Sequence, residues 1–281
     1  MLALDVDGTL IGPDGIVGGD VVDAVAEANR AGLLVCLATG RSWAETVPVW
    51  RQLRLAKPYQ PLVLVGGAMV SEPDTGRTLC HRPIPPELAA RFADALGQAG
   101  YCAMALVDAW RHGIDYLLVE RGDTVAAQEL WLSKTGAKVR RVPGLSLESP
   151  RVLRVSAVVD PEVGQMLARE LLRQFDGQLN VHAILAPNYA VHVVEAFAIG
   201  ADKFSGIKYV AQAQGIGPGA IVAVGDDVND LAMIRGAGLG VAMPQAPPSV
   251  RRAAGHVAEG GLAAFIRELS AGKFGGTRGE A

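Results

Sequence analysis

Asp5 and Asp7 stand two residues apart, directly after the apolar run at 1–4 and before Gly8 and Thr9. In a regular strand both side chains would lie on one face, because side chains alternate along a strand. Two carboxylates that close repel, so the pair needs a cation or one of them must hold a proton. Asp226 and Asp230 follow a second apolar run at 220–224 and add further acidic oxygens. Hard oxygen ligands without His or Cys suit magnesium, not zinc. Candidate anion binders stand opposite. Thr39 supplies a hydroxyl and Gly40 an unobstructed N–H, and the next helix start adds its dipole. Lys203 opens a helix after Gly200-Ala201-Asp202 and can reach in as a point charge. Together these groups make a site for a phosphate bridged by magnesium. A carboxylate there can attack phosphorus, with the cation shielding the two anions from each other.

Such residues need a scaffold that gathers them. The segments 1–4, 33–37, 61–65, 190–195 and 220–224 read as buried strands, and 33–37 is a continuous apolar run bounded by turn signals. Helices are predicted in between. Asp20 looks like an N-cap, with Val21, Val22, Val25 and Ala28 at helical spacing and Gly32 as the stop. Ser42 can cap the next helix, which Pro48 can kink. Open α/β sheets bind ligands at the carboxyl ends of their strands. Asp5, Asp7, Thr39 and Asp226 all fall at such ends.

The pattern changes in the middle. Pro73-Asp74-Thr75-Gly76 predicts a turn between strands at 68–71 and 78–82. Helices near 86–98, 124–134 and 161–175 then mix with strands near 101–107, 116–119, 152–159 and 178–185. This is an α+β unit inserted as a lid into a parallel α/β core. After Asp230, a helix, a short strand at 240–243 and two more helices complete the core. The boundaries are core at 1–82 and 189–270, lid at 83–188, and a Gly-rich charged tail at 271–281 expected to be disordered.

Bulk properties exclude other classes. A net charge of -3 leaves no basic footprint for nucleic acid or an anionic membrane. The longest apolar runs, such as 62–70, fall short of the ~18 residues of a membrane span. No basic region precedes an apolar stretch at the N-terminus, so a signal peptide is not expected. The first strand starts abruptly at Met1, which is consistent with a start codon upstream. Cys36, Cys80 and Cys102 are scattered, as suits a reducing cytoplasm. The expected partner is therefore a small phosphate ester, and no signal for oligomeric state is present. Gly236-Ala237-Gly238-Leu239-Gly240 lacks the spacing of a dinucleotide loop, and no P-loop motif occurs. Taken singly, Asp5 and Asp7 would be a solvated loop, Thr39 a helix cap and Lys203 a surface lysine. Their joint placement at strand ends argues otherwise.

Four motifs carry a specific resemblance. Asp5-Val6-Asp7-Gly8-Thr9 resembles the first signature of the haloacid dehalogenase superfamily. Ala38-Thr39-Gly40-Arg41 resembles its second motif as written in the Cof-like sugar-phosphatase branch. Gly200-Ala201-Asp202-Lys203 resembles the third. Gly225-Asp226-Asp227-Val228-Asn229-Asp230 resembles the fourth, and Val241-Ala242-Met243 continues it. The match covers about 1–82 and 188–270.

The resemblance implies a Rossmann-like parallel-sheet core with an inserted α+β cap of type 2 (C2B-like), which covers the site and selects the leaving group. It implies that Asp5 is nucleophile and metal ligand. Asp7 would protonate the leaving oxygen and then deprotonate water, its backbone carbonyl binding magnesium. Thr39, Gly40 and Lys203 would hold the phosphate, with Asn229 assisting. Asp226 would bind the metal, and Asp230 would bind it or orient its waters. Three departures bear on substrate range and not on reaction type. Gly66-Gly67-Ala68 replaces Asn-Gly-Ala, Met243-Pro244-Gln245-Ala246 replaces Met-Gly-Asn-Ala, and Phe204 follows Lys203 where Gly is common. The implied function is magnesium-dependent phosphomonoester hydrolysis of small metabolites such as sugar phosphates, through an aspartyl-phosphate. The alternatives are a phosphosugar mutase and a non-catalytic sugar-phosphate sensor, and the intact Asp5/Asp7 pair argues against the sensor.

Overall fold

Short apolar segments and their turns divide the chain into fourteen strands and ten α-helices in the computed structural model, which describes residues 1–12, 14–186 and 191–274. The chain runs β1 (Leu2–Leu4), α1 (Gly19–Arg30), β2 (Val35–Leu37), α2 (Trp43–Gln52), β3 (Leu62–Leu64) and β4 (Met69–Ser71). It continues through β5 (Thr78–His81), α3 (Pro86–Gln98), β6 (Ala103–Val107), α4 (Ala109–His112), β7 (Tyr116–Val119) and α5 (Ala126–Thr135). Next come β8 (Val139–Val142), β9 (Val152–Val159), α6 (Pro161–Gln174), β10 (Leu179–Ala186) and β11 (Val191–Ala198). The last part holds α7 (Lys203–Ala213), β12 (Val222–Gly225), α8 (Leu231–Gly236), β13 (Leu239–Ala242), α9 (Pro248–Ala253), β14 (His256–Val257) and α10 (Gly261–Ser270). Among the described residues, no helix is long and apolar enough to cross a membrane.

Two compact units result, Met1–Arg77 with Asp202–Ala281, and Thr78–Ala201. The first is built on a parallel sheet in the order β14-β13-β12-β1-β2. Its strands are only two to four residues long. Side-chain burial therefore holds them more than ladder length does. Leu2, Leu4 and Leu37 are buried, each worth about 1.5–3 kcal/mol. Strand β1 lies between β2 and β12, with Leu4 level with both Leu37 and Val224. The chain leaves β1 to one side early and returns on the other side late, which makes a topological switch point. Strand β3 pairs antiparallel with β4. It also continues the parallel sheet locally, where Ala38 bridges Val63 and the Thr39 N–H donates to the Val63 carbonyl at 2.9 Å. Helix α2 starts at a capping box between Ser42 and Glu45 and runs through Pro48 without stopping. Helix α1 starts one residue before Asp20, with Gly18 at the cap and Asp20 in the first turn.

The second unit is a six-stranded sheet in the order β10-β11-β9-β6-β7-β8, antiparallel except for β7 beside β8. Helix α3 packs on β6 and β9, and α6 packs on β10 and β11. Phe92 and Phe175 meet edge to face at 5.2 Å. The sheet buries a polar chain, in which Arg154 reaches Glu195 and Tyr116, each at 3.2 Å, and His182 meets the other Glu195 oxygen at 2.8 Å. His182 thus has a structural partner.

Some expectations need correction. The strand expected to rejoin the parallel core at 190–195 is β11, and it pairs antiparallel with β9 and β10. A buried apolar run has no direction written in it, and this one is covered by α6 on one face. Strand β8 was not anticipated, because Val139-Arg140-Arg141-Val142 is largely exposed and offers no apolar alternation. The tail expected to be disordered begins in order: Phe274 packs against Phe265 at 5.2 Å and His256 at 4.9 Å. Its remainder, 275–281, and the expected boundary at 188/189 lie outside the described residues.

Candidate active site

Strand β1 ends at Leu4, and the Asp5 N–H continues its ladder by donating to the Val224 carbonyl at 3.0 Å. The ladder then stops, because Gly8 turns the chain at φ +81° and Leu10 and Ile11 bond back to the Val6 carbonyl. Asp5 is buried at the end of β1. Asp226 and Asp230 arrive from the end of the adjacent β12, and with Asp5 they place ligand oxygens within 4.8 Å of one another. Asp230 is fixed on both oxygens. Its Oδ2 accepts from the Asp226 and Asp227 N–H groups at 2.9 and 3.0 Å, and its Oδ1 accepts from Lys203 at 2.6 Å. Asp227 caps the same turn through the Val228 N–H.

Lys203 opens α7 behind an Asp202–Ser205 capping box and is 2 % exposed. Its Nζ donates to Asp5 at 2.5 Å as well as to Asp230. Burial opposes the ammonium, but the charges of Asp230 and Asp5 outweigh it and hold its pKa above the ordinary value. Burial, then repulsion from Asp230, pushes Asp5 well above the carboxylate range against the pull of Lys203. Burial and Asp230 likewise push Asp226 up to about 6, opposed by the Thr9 hydroxyl that donates to it at 3.1 Å.

This electrostatics tests whether a cation fits. Three carboxylates meet one ammonium, so two negative charges would stay uncompensated if all were ionised. In the turn between Asp226 and Asp230, Asn229 has a buried Oδ1 with no hydrogen-bond partner among the described residues. An unpaired buried acceptor costs about 1–3 kcal/mol, and it accepts a cation or a donor, not an anion. The donor set is all oxygen. A hard divalent cation fits it.

Gly8 is required by contact as well as by φ. A Cβ there would stand 2.1 Å from Asp226 Oδ2. Gly8→Ala is expected to abolish turnover and to cost more than about 1 kcal/mol of stability. Phosphate release and a denaturation midpoint measure the two effects.

The remaining expected residues fall into a neighbouring group. Asp7 does not join the carboxylate cluster, since the strand periodicity ends at Leu4. Its side chain is 58 % exposed and forms a two-pronged pair with Arg41, Nε to Oδ2 at 2.9 Å and Nη2 to Oδ1 at 2.6 Å. Thr39 is fully buried, and its hydroxyl accepts the Arg41 N–H at 3.2 Å. Gly40 lies between them in the loop after β2. This loop is stitched to the one after β3: Val65 N–H donates to the Arg41 carbonyl at 3.0 Å, and Gly66 N–H to the Thr39 carbonyl at 2.9 Å. Val65 adopts φ +52° to do so, a strain of about 1–3 kcal/mol for such a residue. A Cβ on Gly67 would lie 1.9 Å from the Asp202 carbonyl. Backbone thus packs directly on the start of α7 at Gly67, the glycine beside the Gly66 that replaces the expected Asn.

Three contributors had no assigned role in the sequence reading. Thr9 bonds Asp226, Arg41 pairs with Asp7, and Gln245 donates to the Gly8 carbonyl at 2.5 Å. Arg41 and Thr9 stand inside the quoted motifs, which was their only signal. Gln245 stands in the departing segment 243–246 and shows what that departure does, tying it to the turn after Asp7.

Residues 2–263 match the haloacid dehalogenase-like hydrolase family. The chain is 25% identical over 276 residues to 5-amino-6-(5-phospho-D-ribitylamino)uracil phosphatase YitU of Bacillus subtilis, covering 95% of this chain and 96% of that one. It is 29% identical to a phosphoglycolate phosphatase of Natronomonas pharaonis, with 95% of each covered. Among solved structures, a subclass IIB sugar phosphatase of the haloacid dehalogenase superfamily superposes with TM-score 0.76 at 21% identity, over 95% of this chain and 98% of that one.

Proposed function

The chain belongs to the haloacid dehalogenase-like hydrolase family, and on that premise we propose that it is a magnesium-dependent phosphomonoester hydrolase working through an aspartyl-phosphate on Asp5. It is a phosphatase of small phosphorylated metabolites in the Cof-like branch of that family. The observation that carries the finer reading is the buried Asp5 carboxylate, held by Lys203 at 2.5 Å inside an acidic cluster that calls for a cation.

Asp5 and Asp226 would hold magnesium, with the Asp7 backbone carbonyl and with Asp230 beside them. When bound, magnesium offsets the excess negative charge and polarises the phosphoryl oxygens. The chain's own groups do the rest. Asp5 bonds to phosphorus as the bond to the leaving oxygen breaks, and Asp7 gives that oxygen a proton. Water then attacks the aspartyl-phosphate and Asp7 takes its proton, so that Asp5 is freed and inorganic phosphate leaves. Thr39, Gly40 and Lys203 hold the phosphoryl oxygens, with the Asn229 amide assisting. Lys203 suits this task because its ammonium stays charged between two carboxylates. Uncatalysed monoester hydrolysis is so slow that enhancements reach ~10²¹, which is why nucleophile, acid, cation and clamp are combined. We assign the choice of leaving group to the inserted unit, in keeping with the motif resemblance, with sugar phosphates as the leading class.

The test is a phosphate-release screen over small metabolite esters with magnesium, repeated with a chelator. Release from one or more esters that chelation stops is the expected result. Activity that survives chelation contradicts the metal role. Binding without any release would instead support a sensor.

A further inference from the structure

We propose that Arg41 is a positioning residue for the proton-transfer step, holding the Asp7 carboxylate where the leaving oxygen must meet it. The inference rests on the reading above, in which Asp7 is the proton donor and acceptor.

Three observations carry it. First, Asp7 is the more exposed of the two acidic residues in its motif, and among the described residues its carboxylate bonds to Arg41 alone. An exposed Asp with no partner would sample several rotamers, and proton transfer demands one. Second, the contact engages both oxygens at once. A planar guanidinium fork fixes the direction of a carboxylate, which a lysine point charge cannot do. Third, Arg41 is itself anchored. Its N–H binds the Thr39 hydroxyl, its carbonyl takes the Val65 N–H at 3.0 Å, and its Nη1 reaches the Glu45 carbonyl at 3.4 Å. The Val65 backbone is strained to make that bond. Exposed ion pairs contribute only about 0–1 kcal/mol to stability. Stability therefore does not account for so much anchorage, whereas placement of a proton donor does.

The experiment compares two esters that differ in their need for a proton. An alkyl phosphate must expel a basic alkoxide and depends on the acid. The aryl ester p-nitrophenyl phosphate expels a stable phenolate and depends on it far less. Arg41→Ala is expected to lower kcat on the alkyl ester about 100-fold, and on the aryl ester at least about tenfold less, with KM little changed on either. Arg41→Lys is expected to restore little of the loss, and added guanidinium to restore part of it in the alanine variant. In an Asp7→Asn background, Arg41→Ala is expected to add no further loss. Equal losses on both esters, or a rise in KM with kcat retained, would mark Arg41 as a phosphate clamp and overturn the proposal. Thermal melting screens the variants for folding, and the lysine variant keeps the comparison open if the alanine variant unfolds. Failure of the underlying reading looks different: there Asp7→Asn alone leaves wild-type turnover on both esters.

Discussion

Asp5→Asn is expected to reduce turnover by about 10⁴–10⁶-fold, the scale seen when a catalytic nucleophile is removed, while the protein melts no lower than the wild type without metal. The amide has nearly the shape of the carboxylate but cannot form the acyl-phosphate. The stability half of the expectation comes from charge. Asp5 is buried, and burial and Asp230 both work against its ionised form. Removing that charge lowers the repulsion within the cluster, and Lys203 keeps Asp230 as its partner at 2.6 Å. The measurements are kcat for phosphate release and melting temperature in a chelator. Wild-type turnover in the variant would refute the nucleophile assignment. A collapse of the melting temperature would show that the Asp5–Lys203 pair holds the fold together, which the excess of negative charge argues against.

Lys203→Met should have the opposite balance, a loss of both turnover and stability. The variant leaves Asp5 and Asp230 buried side by side with no cation. Breaking a buried pair from one side costs on the order of 3–5 kcal/mol. The loss should depend on pH with a definite sign. Burial pushes Asp226 up to about 6, and Asp5 is raised as well. Across that window the folded chain keeps protons that the unfolded chain releases. The associated stability is present below the ordinary value and fades as pH rises through the raised one. Without Lys203, Asp5 is raised further, because the attraction that lowers it is gone. The variant should therefore recover part of its deficit at about pH 5 and show all of it at about pH 8. Denaturant titrations of metal-free wild type and variant at the two values measure this. A deficit independent of pH would mean that packing of the lysine stem, not charge, is what was lost.

The core of the site was legible in the sequence for a physical reason. Asp5, Thr39 and Asp226 each follow an apolar run, and a parallel sheet brings the carboxyl ends of its strands together whatever their separation along the chain. Lys203 was legible because a Gly-Ala-Asp turn sets it at a helix start. What could not be read was direction. Asp5 and Asp7 looked like residues on one face of a strand, but the strand ends at Leu4 and the turn at Gly8 sends Asp7 to Arg41. Strand β11 has the same apolar signature as a parallel core strand and pairs the other way. Residues such as Gln245, whose partner is the Gly8 carbonyl 237 positions away, have no local signal at all.

Strand β1 has one neighbour that is local in the chain and one that is not, since β2 begins at Val35 and β12 only at Val222. During synthesis, Asp5 emerges from the ribosome long before Lys203, Asp226 or Asp230 exist. A nascent chain that has reached the middle of the molecule holds a half-built sheet, with β1 exposed along the edge that β12 will later cover. Such edges invite pairing with other chains, and contacts this distant in sequence form slowly. The site is thus complete only once Asp230 has been made, and Asp5 is the residue that waits longest for it.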